Sequence, residues 1–254
     1  MLLKMENVSK SFGGLKAVSN LNMEIREGEL IGLIGPNGAG KTTAFNLLTG
    51  VYEPTEGKMF FQGKDVSGLK PYQVTHRGIA RTFQNIRLFG DLSVVDNVKI
   101  AHHQHATYST ASAILRLPSF FKGELEMENQ AMELLKIFHL ESKAQELAKN
   151  LPYGEQRRLE IARALAAKPK LLLLDEPAAG MNPQETHDLM EMIRWIRGQF
   201  NLTILLIEHD MSLVMGVCER IYVLDYGTII AHGTPQEIKN NPKVIEAYLG
   251  EEVV

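Results

Sequence analysis

The chain has 254 residues, 44% of them hydrophobic and 22% charged, a composition typical of a globular protein with one or two domains. Its net charge of −3 excludes an overall basic field for binding nucleic acid. The single cysteine, Cys218, excludes an internal disulfide and a cysteine metal cluster and fits a reducing compartment. We expect no signal peptide, since MLLKMENVSK is not apolar enough, and no membrane span, since no run of about 18 apolar residues occurs.

The first thirty residues alternate between apolar and polar in the manner of paired strands. Met5–Val8 and Leu21–Ile25 are the two strand segments, with turns predicted at Gly13–Gly14 and Glu27–Gly28. The continuous apolar run Leu30–Ile34 then predicts a strand that is buried on both faces.

A predicted helix, Lys41–Leu48, and a short strand with a turn, Met59–Lys64, come next. Between residues 93 and 150 the apolar spacing is helical, as in Glu124–Phe138, and we interpret this region as an insertion into an α/β core. The remaining predicted elements are strands at Leu171–Leu174 and Leu202–Ile207, a helix capped by Asn182, a hairpin around Tyr226–Gly227, and two short helices that begin at Pro235 and Pro242.

A glycine-rich loop follows the Leu30–Ile34 strand. Its sequence GPNGAGKT matches G-x-x-x-x-G-K-[ST] between a strand and a helix, the context that a phosphate-binding loop requires. Backbone N–H groups, the helix N-terminus and Lys41 are expected to bind phosphates, and the Thr42 hydroxyl to ligate Mg²⁺. The glycine spacing does not fit a dinucleotide fold. The predicted binding residues are Gly35, Pro36, Asn37, Gly38, Ala39, Gly40, Lys41, Thr42 and Thr43.

Two further predicted strands end in polar residues. LLLLDE places Asp175 and Glu176 at a strand end, where open α/β sheets bind ligands. Because adjacent strand residues point to opposite faces, we expect Asp175 to reach Mg²⁺ and Glu176 to polarise the attacking water. His209 follows the Leu202–Ile207 strand. If this strand is a parallel neighbour of the one that ends in the two acids, we expect His209 to sense the γ-phosphate.

The run LPYGEQRRLEIARALA, residues 151–166, lies between these motifs and resembles the signature of the ATP-binding-cassette ATPase family, usually written L-S-G-G-Q. With the other motifs in the expected order, the chain resembles this family over essentially its whole length. The resemblance implies one α/β domain, 1–254, with a P-loop NTPase core that has a parallel sheet and an N-terminal antiparallel β subdomain. Residues 1–92 and 151–254 would form these parts, and residues 93–150 an inserted, mainly helical subdomain.

The resemblance also implies roles for single residues. Phe12 matches the aromatic residue that stacks on adenine, Gln84 the glutamine that links the Mg²⁺ site to the transporter, and His209 the switch histidine. Glu176 would be the catalytic base, and Thr42, Gln84 and Asp175 would hold Mg²⁺. Asn182 stands where an aspartate is common and is equally well explained as a helix N-cap.

In this family two cassettes meet head to tail, and the signature of one caps the ATP bound by the other. The corresponding residues here are Pro152, Tyr153, Gly154, Glu155 and Gln156. The proline lacks the usual serine hydroxyl, and a hydrogen bond to a charged group is worth roughly 1.5–3 kcal/mol. The tyrosine replaces a glycine that permits close approach. We therefore expect a weaker or differently built site, and a partner that is either a second copy or a different cassette.

The phrases YGEQRRLEIARALA, DEPAAGMNP and GTPQEIKNNPKVIEAYLGE resemble an ATPase subunit of bacterial branched-chain amino acid importers. The resemblance implies permease subunits as partners, a substrate-binding protein as an indirect partner, no nucleic acid, and a peripheral position on the cytoplasmic face of the inner membrane. The ATPase of a lipopolysaccharide-type lipid exporter is the alternative. The transported solute and the direction of transport stay open.

The sequence disfavours three other interpretations. A cassette ATPase acting on ribosomes or DNA would usually carry two cassettes or long coiled coils, which this sequence lacks. A regulatory module without hydrolysis is disfavoured because Lys41, Asp175, Glu176 and His209 occur together. A metal site at the clustered histidines of the insertion is disfavoured because no carboxylate or thiol pattern accompanies them.

Arg81 and Arg87, with the LFGDLSV segment, are expected to form a surface that grips the permease.

Overall fold

The computed structural model describes residues 1–249, without the side chains of Ser212 and Leu249. Residues 250–254, which the sequence assigns to the same domain, lie outside this part. The described residues divide into two compact units, one formed by residues 1–81 and 170–249 and the other by residues 82–169. The second unit is helical and covers more of the sequence than the insertion expected at 93–150. It begins at residue 82 and also includes the helix that follows Pro152. Within the described residues no helix is long and apolar enough to cross a membrane.

The first unit contains an antiparallel sheet of four strands in the order β2-β1-β4-β5. Its strands are β1 (Leu3–Phe12), β2 (Leu15–Ile25), β4 (Glu56–Phe61) and β5 (Lys64–Asp65). The turn at Gly13–Gly14 joins β1 to β2 as predicted, and side chains such as Leu3 and Met23 are buried on one face. This sheet is the predicted N-terminal antiparallel region.

A six-stranded sheet in the order β10-β9-β3-β8-β7-β6 forms the centre of the same unit. Five neighbouring strands run parallel and only β10 is antiparallel to its neighbour β9. The strands are β3 (Leu30–Ile34), β6 (Ile79–Arg81), β7 (Leu171–Asp175), β8 (Thr203–Ile207), β9 (Arg220–Asp225) and β10 (Thr228–Gly233). Every residue of β3, β7 and β8 is buried, as their continuous apolar sequences predict for a sheet covered on both faces. The α/β fold class predicted from the sequence is confirmed.

The helices of this unit include the predicted ones and two that the sequence did not reveal. The helices are α1 (Lys41–Leu48), α2 (Pro71–His76), α7 (Pro183–Phe200), α8 (Met211–Val217), α9 (Pro235–Lys239) and α10 (Pro242–Leu249). The short helices α2 and α8 were missed because six or seven residues are too few to show a helical period. The hydrophobic core of the unit includes Phe45 of α1 together with residues of both sheets.

The second unit, residues 82–169, is helical in its regular structure. It contains α3 (Val94–His102), α4 (Thr110–Ile114), α5 (Pro118–Ile137), α6 (Tyr153–Ala166) and short 3₁₀ turns at His103–His105, Glu141–Lys143 and Ala148–Asn150. Helix α3 packs against both α5 and α6. The core of this second unit is formed by buried side chains such as Val98, Leu135 and Leu159.

Candidate functional site

The phosphate loop joins β3 to α1 and is shaped by close backbone contacts. Gly35 has φ 152°, and a side chain there would lie 1.9 Å from the carbonyl oxygen of Leu224. At Gly40, with φ 102°, a side chain would lie 2.6 Å from the carbonyl oxygen of Ala17. Both positions therefore require glycine, because other residues rarely adopt this backbone and would clash.

The charged group of the loop is the ammonium of Lys41, at the first position of α1. Its Nζ donates to the carbonyl oxygens of Gly35 at 2.6 Å and Pro36 at 2.8 Å, and the side chain is buried. The loop is thus folded around a positive charge at a helix N-terminus, an arrangement suited to bind phosphate.

The acidic end of β7 differs from the strand pattern that the sequence suggested. The strand ends at Asp175, and Glu176 has a left-handed backbone with φ 44°. The alternation of strand side chains therefore does not apply to this pair, and the reason given for separating the two carboxylates was wrong. They still have different neighbours. Asp175 is buried against Arg81, with Nη2 to Oδ2 at 2.6 Å, whereas Glu176 Oε2 lies 3.6 Å from Nδ1 of His209.

The order of the central strands brings three predicted motifs together. Strand β8 lies between β3 and β7 and is parallel to both, so the phosphate loop, His209 and Glu176 follow the carboxyl ends of three adjacent strands. The prediction that the strand before His209 is parallel to its neighbour is therefore confirmed. The histidine side chain is 66% exposed and so is free to meet a ligand.

Glu208, beside His209, is a buried acid that the sequence analysis did not single out. Its Oε1 accepts a hydrogen bond of 3.0 Å from the N–H of Ala178, in the loop after Glu176. Burial raises the pKa of the Glu208 carboxyl. A charged residue directly after an apolar strand was the available signal, but its partner is 30 residues away in sequence.

Arg81 was predicted to grip a permease from the surface, and the structure shows that this is wrong. Its side chain is 6% exposed, and Nη1 donates to Oδ1 of Asn46 in α1 at 2.7 Å. The reason is the three-residue strand β6, which pairs with β7 and places Arg81 beside Asp175. Arg87 is exposed, as expected for a surface residue.

Phe12, the predicted adenine platform, is the last residue of β1 and is 42% exposed. Its ring meets that of Tyr52 edge to face at 5.0 Å, and Nζ of Lys10 lies 5.1 Å from the ring centroid. A partly exposed aromatic ring beside a cation is suited to stack a base. The role of Phe12 stays a prediction. The sequence did not reveal that Lys10 and Tyr52 contact its ring.

The signature-like segment lies in the second unit, where α6 begins at Tyr153. Pro152 precedes the helix, and its carbonyl accepts the N–H of Gln156 at 2.9 Å. Glu155, in the first turn, is held by Nζ of Lys143 at 2.6 and 2.8 Å. The negative charge of Glu155, which the usual signature lacks, is therefore paired with the ammonium of Lys143.

Gln84 is exposed in the loop between residues 81 and 93 of the second unit. Its backbone carbonyl accepts Nη2 of Arg157 at 2.7 Å. The side-chain role predicted for Gln84 stays a prediction.

The histidines of the insertion have other partners. Nδ1 of His102 contacts the carbonyl of Ala166 at 3.0 Å, and Nε2 of His105 contacts that of Ala167, also at 3.0 Å. Both rings thus face the carboxyl end of α6. Among residues 1–249 no group of three or more His, Cys, Asp or Glu side chains is arranged to hold a metal ion.

Asn182 is the N-cap of α7. Its Oδ1 accepts the N–H of Glu185 at 2.9 Å, and the Glu185 carboxylate accepts the N–H of Asn182 at the same distance. With Pro183 at the first helical position, this is the capping box expected from the sequence.

Known proteins resemble the chain along nearly its whole length. A family profile described as ABC transporter matches residues 18–179, and one described as branched-chain amino acid ATP-binding cassette transporter matches residues 228–254. The chain is 50% identical over 250 residues, 98% of each protein, to the high-affinity branched-chain amino acid transport ATP-binding protein LivG of Salmonella typhimurium. It is 37% identical, with the same coverage, to the lipopolysaccharide export system ATP-binding protein LptB of Escherichia coli.

Solved structures agree with these matches. The ADP conformation of MJ1267, an ATP-binding cassette of an ABC transporter, has a TM-score of 0.83 and 31% identity, covering 98% of each chain. A dimeric, post-hydrolysis structure of the cassette MJ0796 with ADP and Pi has a TM-score of 0.77 and 26% identity, covering 92% of this chain and 99% of that one.

Proposed function

Because the chain belongs to the ATP-binding-cassette transporter family, we propose that it hydrolyses ATP to energise a membrane transporter that imports branched-chain amino acids. The observation that carries the proposal is the alignment of the phosphate loop, His209 and Glu176 at the ends of three adjacent parallel strands. Binding, water activation and γ-phosphate sensing would then occur at one edge of one sheet.

Each group at this edge has a distinct task. The loop N–H groups and Lys41 bind the β- and γ-phosphates, and the adenine stacks on Phe12. Glu176 accepts a proton from the attacking water, and His209, 3.6 Å from Glu176, orients it and contacts the γ-phosphate.

The oxygen donors of Thr42 and Asp175 fit Mg²⁺, which prefers hydroxyl, carboxylate and water ligands. Arg81 donates to Oδ2 of Asp175, and in this proposal Oδ1 of Asp175 is assigned to the metal site. Gln84 supplies the third protein ligand in this proposal. When bound, Mg²⁺ would neutralise charge on the β- and γ-phosphates.

A second cassette completes the site. Residues Pro152–Gln156 lie at the N-terminus of α6, where N–H groups and the helix dipole favour an anion. In this proposal they cap the ATP bound by the other cassette. The dimeric solved cassette supports such an assembly. The missing hydroxyl of Pro152 makes the capped site weaker, so Pro152→Ser should raise ATP turnover or affinity; an unchanged rate and affinity would contradict this step.

Permease subunits are the proposed membrane partners, and the chain lies against them on the cytoplasmic face. The exposed stretch that includes Arg87, Phe89 and Leu92 offers both a cation and apolar area for docking, directly after Gln84. A substrate-binding protein would act through the permeases rather than on this chain.

Two comparisons favour amino acid import over lipid export. The identity to LivG is 50% and that to LptB is 37% at the same coverage. The second matching profile, over residues 228–254, is described by branched-chain amino acid transport. Direction and solute therefore follow the importer relatives in this proposal.

The enzymatic test is Glu176→Gln. It should keep ATP affinity within about twofold and reduce turnover at least a hundredfold, since it removes the base and leaves the loop intact. Glu191→Gln, on an exposed face of α7, is the matched control and should hydrolyse ATP at the wild-type rate. Retained hydrolysis in Glu176→Gln would refute the assignment.

The transport test is co-expression with the permeases and binding protein from neighbouring genes, followed by reconstitution in vesicles. Leucine with its binding protein should stimulate ATP hydrolysis, and labelled leucine should accumulate inside. Stimulation by lipopolysaccharide alone would instead select the exporter alternative.

A further inference from the structure

Two buried ionic side chains of α6 hold the peptide segment that carries Gln84. Arg157 is 0% exposed, and its Nη1 donates to the carbonyl of Phe83 at 2.6 Å while Nη2 donates to the carbonyl of Gln84 at 2.7 Å. Glu160, one turn later and 1% exposed, accepts the N–H groups of Phe83 at 3.3 Å and Arg87 at 3.2 Å. The two side chains also pair with each other at 2.8 Å.

This arrangement is a costly way to pack a helix. Taking two charges out of water costs several kcal/mol each, and well-packed apolar residues of similar size are often as stable or more stable. Here the hydrogen bonds of the pair are directed at the backbone of residues 83–87, on both its N–H and C=O groups. The pair therefore specifies the position of one short segment, the one that contains Gln84.

The same arginine also contacts the signature-like end of the helix. Its Nη2 lies 3.3 Å from the hydroxyl of Tyr153, one turn earlier, and its guanidinium lies 6.0 Å from the centre of that ring. Residues 153, 157 and 160 lie on one face of α6 at spacings of four and three. Tyr153 stands where the family signature has glycine, so this contact is available only because the signature departs from its usual form.

We propose that Tyr153, Arg157 and Glu160 are positioning residues that transmit nucleotide contact at the start of α6 to the backbone of Gln84. This proposal rests on the proposed function and deepens it, because it assigns a task to the unusual tyrosine. ATP bound against Pro152–Gln156 shifts or orders the Tyr153 ring. Arg157 follows, and Gln84 moves with it because its carbonyl is bound to the same guanidinium. The effect is on the catalytic step and not on ATP binding by the phosphate loop.

The first test is amide hydrogen exchange of the full-length chain in the Glu176→Gln background, which retains bound ATP. ATP should slow exchange of the segment 83–87 when Tyr153 is present. Tyr153→Phe removes only the hydroxyl, so exchange without ATP should stay as in the parent, while the ATP-dependent slowing is reduced at least twofold. Equal slowing in both proteins would overturn the relay.

The second test is steady-state hydrolysis with the catalytic base intact. Arg157→Met/Glu160→Met replaces the pair with apolar side chains of similar length and should fold, as judged by circular dichroism. We expect kcat to fall at least tenfold with KM for ATP within twofold, and Tyr153→Phe to lower kcat about threefold. A wild-type kcat in the folded double variant, or a rise in KM alone, would contradict the proposal.

Tyr108→Phe is the matched control for the hydroxyl deletion. Tyr108 lies in the same unit and donates its hydroxyl hydrogen to Glu124, away from the segment 83–87. It should keep the wild-type kcat and the wild-type exchange response. If Tyr153→Phe and Tyr108→Phe behave alike, the effect is general loosening and the relay is refuted. Absence of ATP hydrolysis in the wild-type chain would instead refute the proposed function itself.

Discussion

The guanidinium of Arg81 donates to the carboxylate of Asp175 across 2.6 Å, and both side chains are only 6% exposed. The same guanidinium donates to Asn46 in the helix that follows the phosphate loop. One side chain therefore links strand β7, which ends at Asp175, to helix α1, which follows the phosphate loop. The ion pair compensates a buried negative charge and fixes where Asp175 lies.

Arg81→Gln should destabilise the protein by about 3–5 kcal/mol, because breaking a buried ion pair leaves an unpaired charge on Asp175. The free energy of unfolding in urea measures this. Mg²⁺ with ADP should then raise the melting temperature of the variant more than that of the wild type, since the cation takes over part of the compensation. Arg87→Gln, at an exposed site, should change stability by less than about 0.5 kcal/mol. A loss below 1 kcal/mol in Arg81→Gln would contradict the structural role.

Arg81 also shows where prediction from the sequence ends. Strand β3, helix α1 and the cap of α7 were predicted because their signals lie within a few residues of each other: an apolar run, a glycine loop, and Asn-Pro with a glutamate two residues further on. The burial of Arg81 depends on β6 pairing with β7, residues about 90 positions apart. A three-residue strand has no periodicity to reveal that pairing.

The candidate site likewise contains residues that the sequence predicted and residues that it did not. The motif residues of the phosphate loop, Glu176 and His209 were found because each follows a recognisable strand. Glu208 and Glu160 were not, since each is defined by the distant backbone N–H that it accepts, from Ala178 and from Phe83 and Arg87. Such partners become visible only when the chain is folded.

The capping box of α7 gives a prediction independent of function. Asn182→Ala should lower the free energy of unfolding by about 1 kcal/mol, because the N–H of Glu185 loses its acceptor. Asn182→Asp keeps an acceptor oxygen and should be nearly neutral, even though aspartate is the residue common at this position in the family. Urea unfolding of the three proteins gives both values, and an equal loss in the two variants would show that the cap is not what Asn182 contributes.

Lys143 is expected to protect the signature face from the charge of Glu155. Lys143→Met leaves that carboxylate uncompensated at the N-terminus of α6, where the proposed function places the γ-phosphate of the partner. We expect ATP-induced dimerisation of the Glu176→Gln protein to weaken about fivefold, the upper end of what a partly exposed ion pair is worth. Sedimentation or light scattering at several protein concentrations measures this.

The second-site change Glu155→Gln supplies the control for Lys143→Met. In the double variant Lys143→Met/Glu155→Gln no excess charge remains, so dimerisation should recover to within twofold of the parent. Failure to recover would mean that Lys143 acts through the position of its 3₁₀ turn and not through its charge.

Glu208 makes stability depend on pH in a direction opposite to that of a salt-bridged carboxylate. Burial raises its pKa above the ordinary value of 4.5 in the folded protein. Between the two pKa values the folded state binds more protons than the unfolded state, so the free energy of unfolding falls as pH rises through this interval. The contribution is fully present below about pH 4.5 and is lost once pH exceeds the folded pKa.

Glu208→Gln removes this step while the amide oxygen still accepts the N–H of Ala178. Urea unfolding of wild type and variant from pH 4 to pH 8 should therefore show a difference that grows with pH, with the variant the more stable protein at the upper end. Glu27→Gln, in an exposed turn, controls for the loss of one carboxylate and should stay parallel to the wild type. Parallel curves for Glu208→Gln would show that the buried carboxyl titrates alike in both states, and the desolvation of Glu208 would then be compensated by its neighbours.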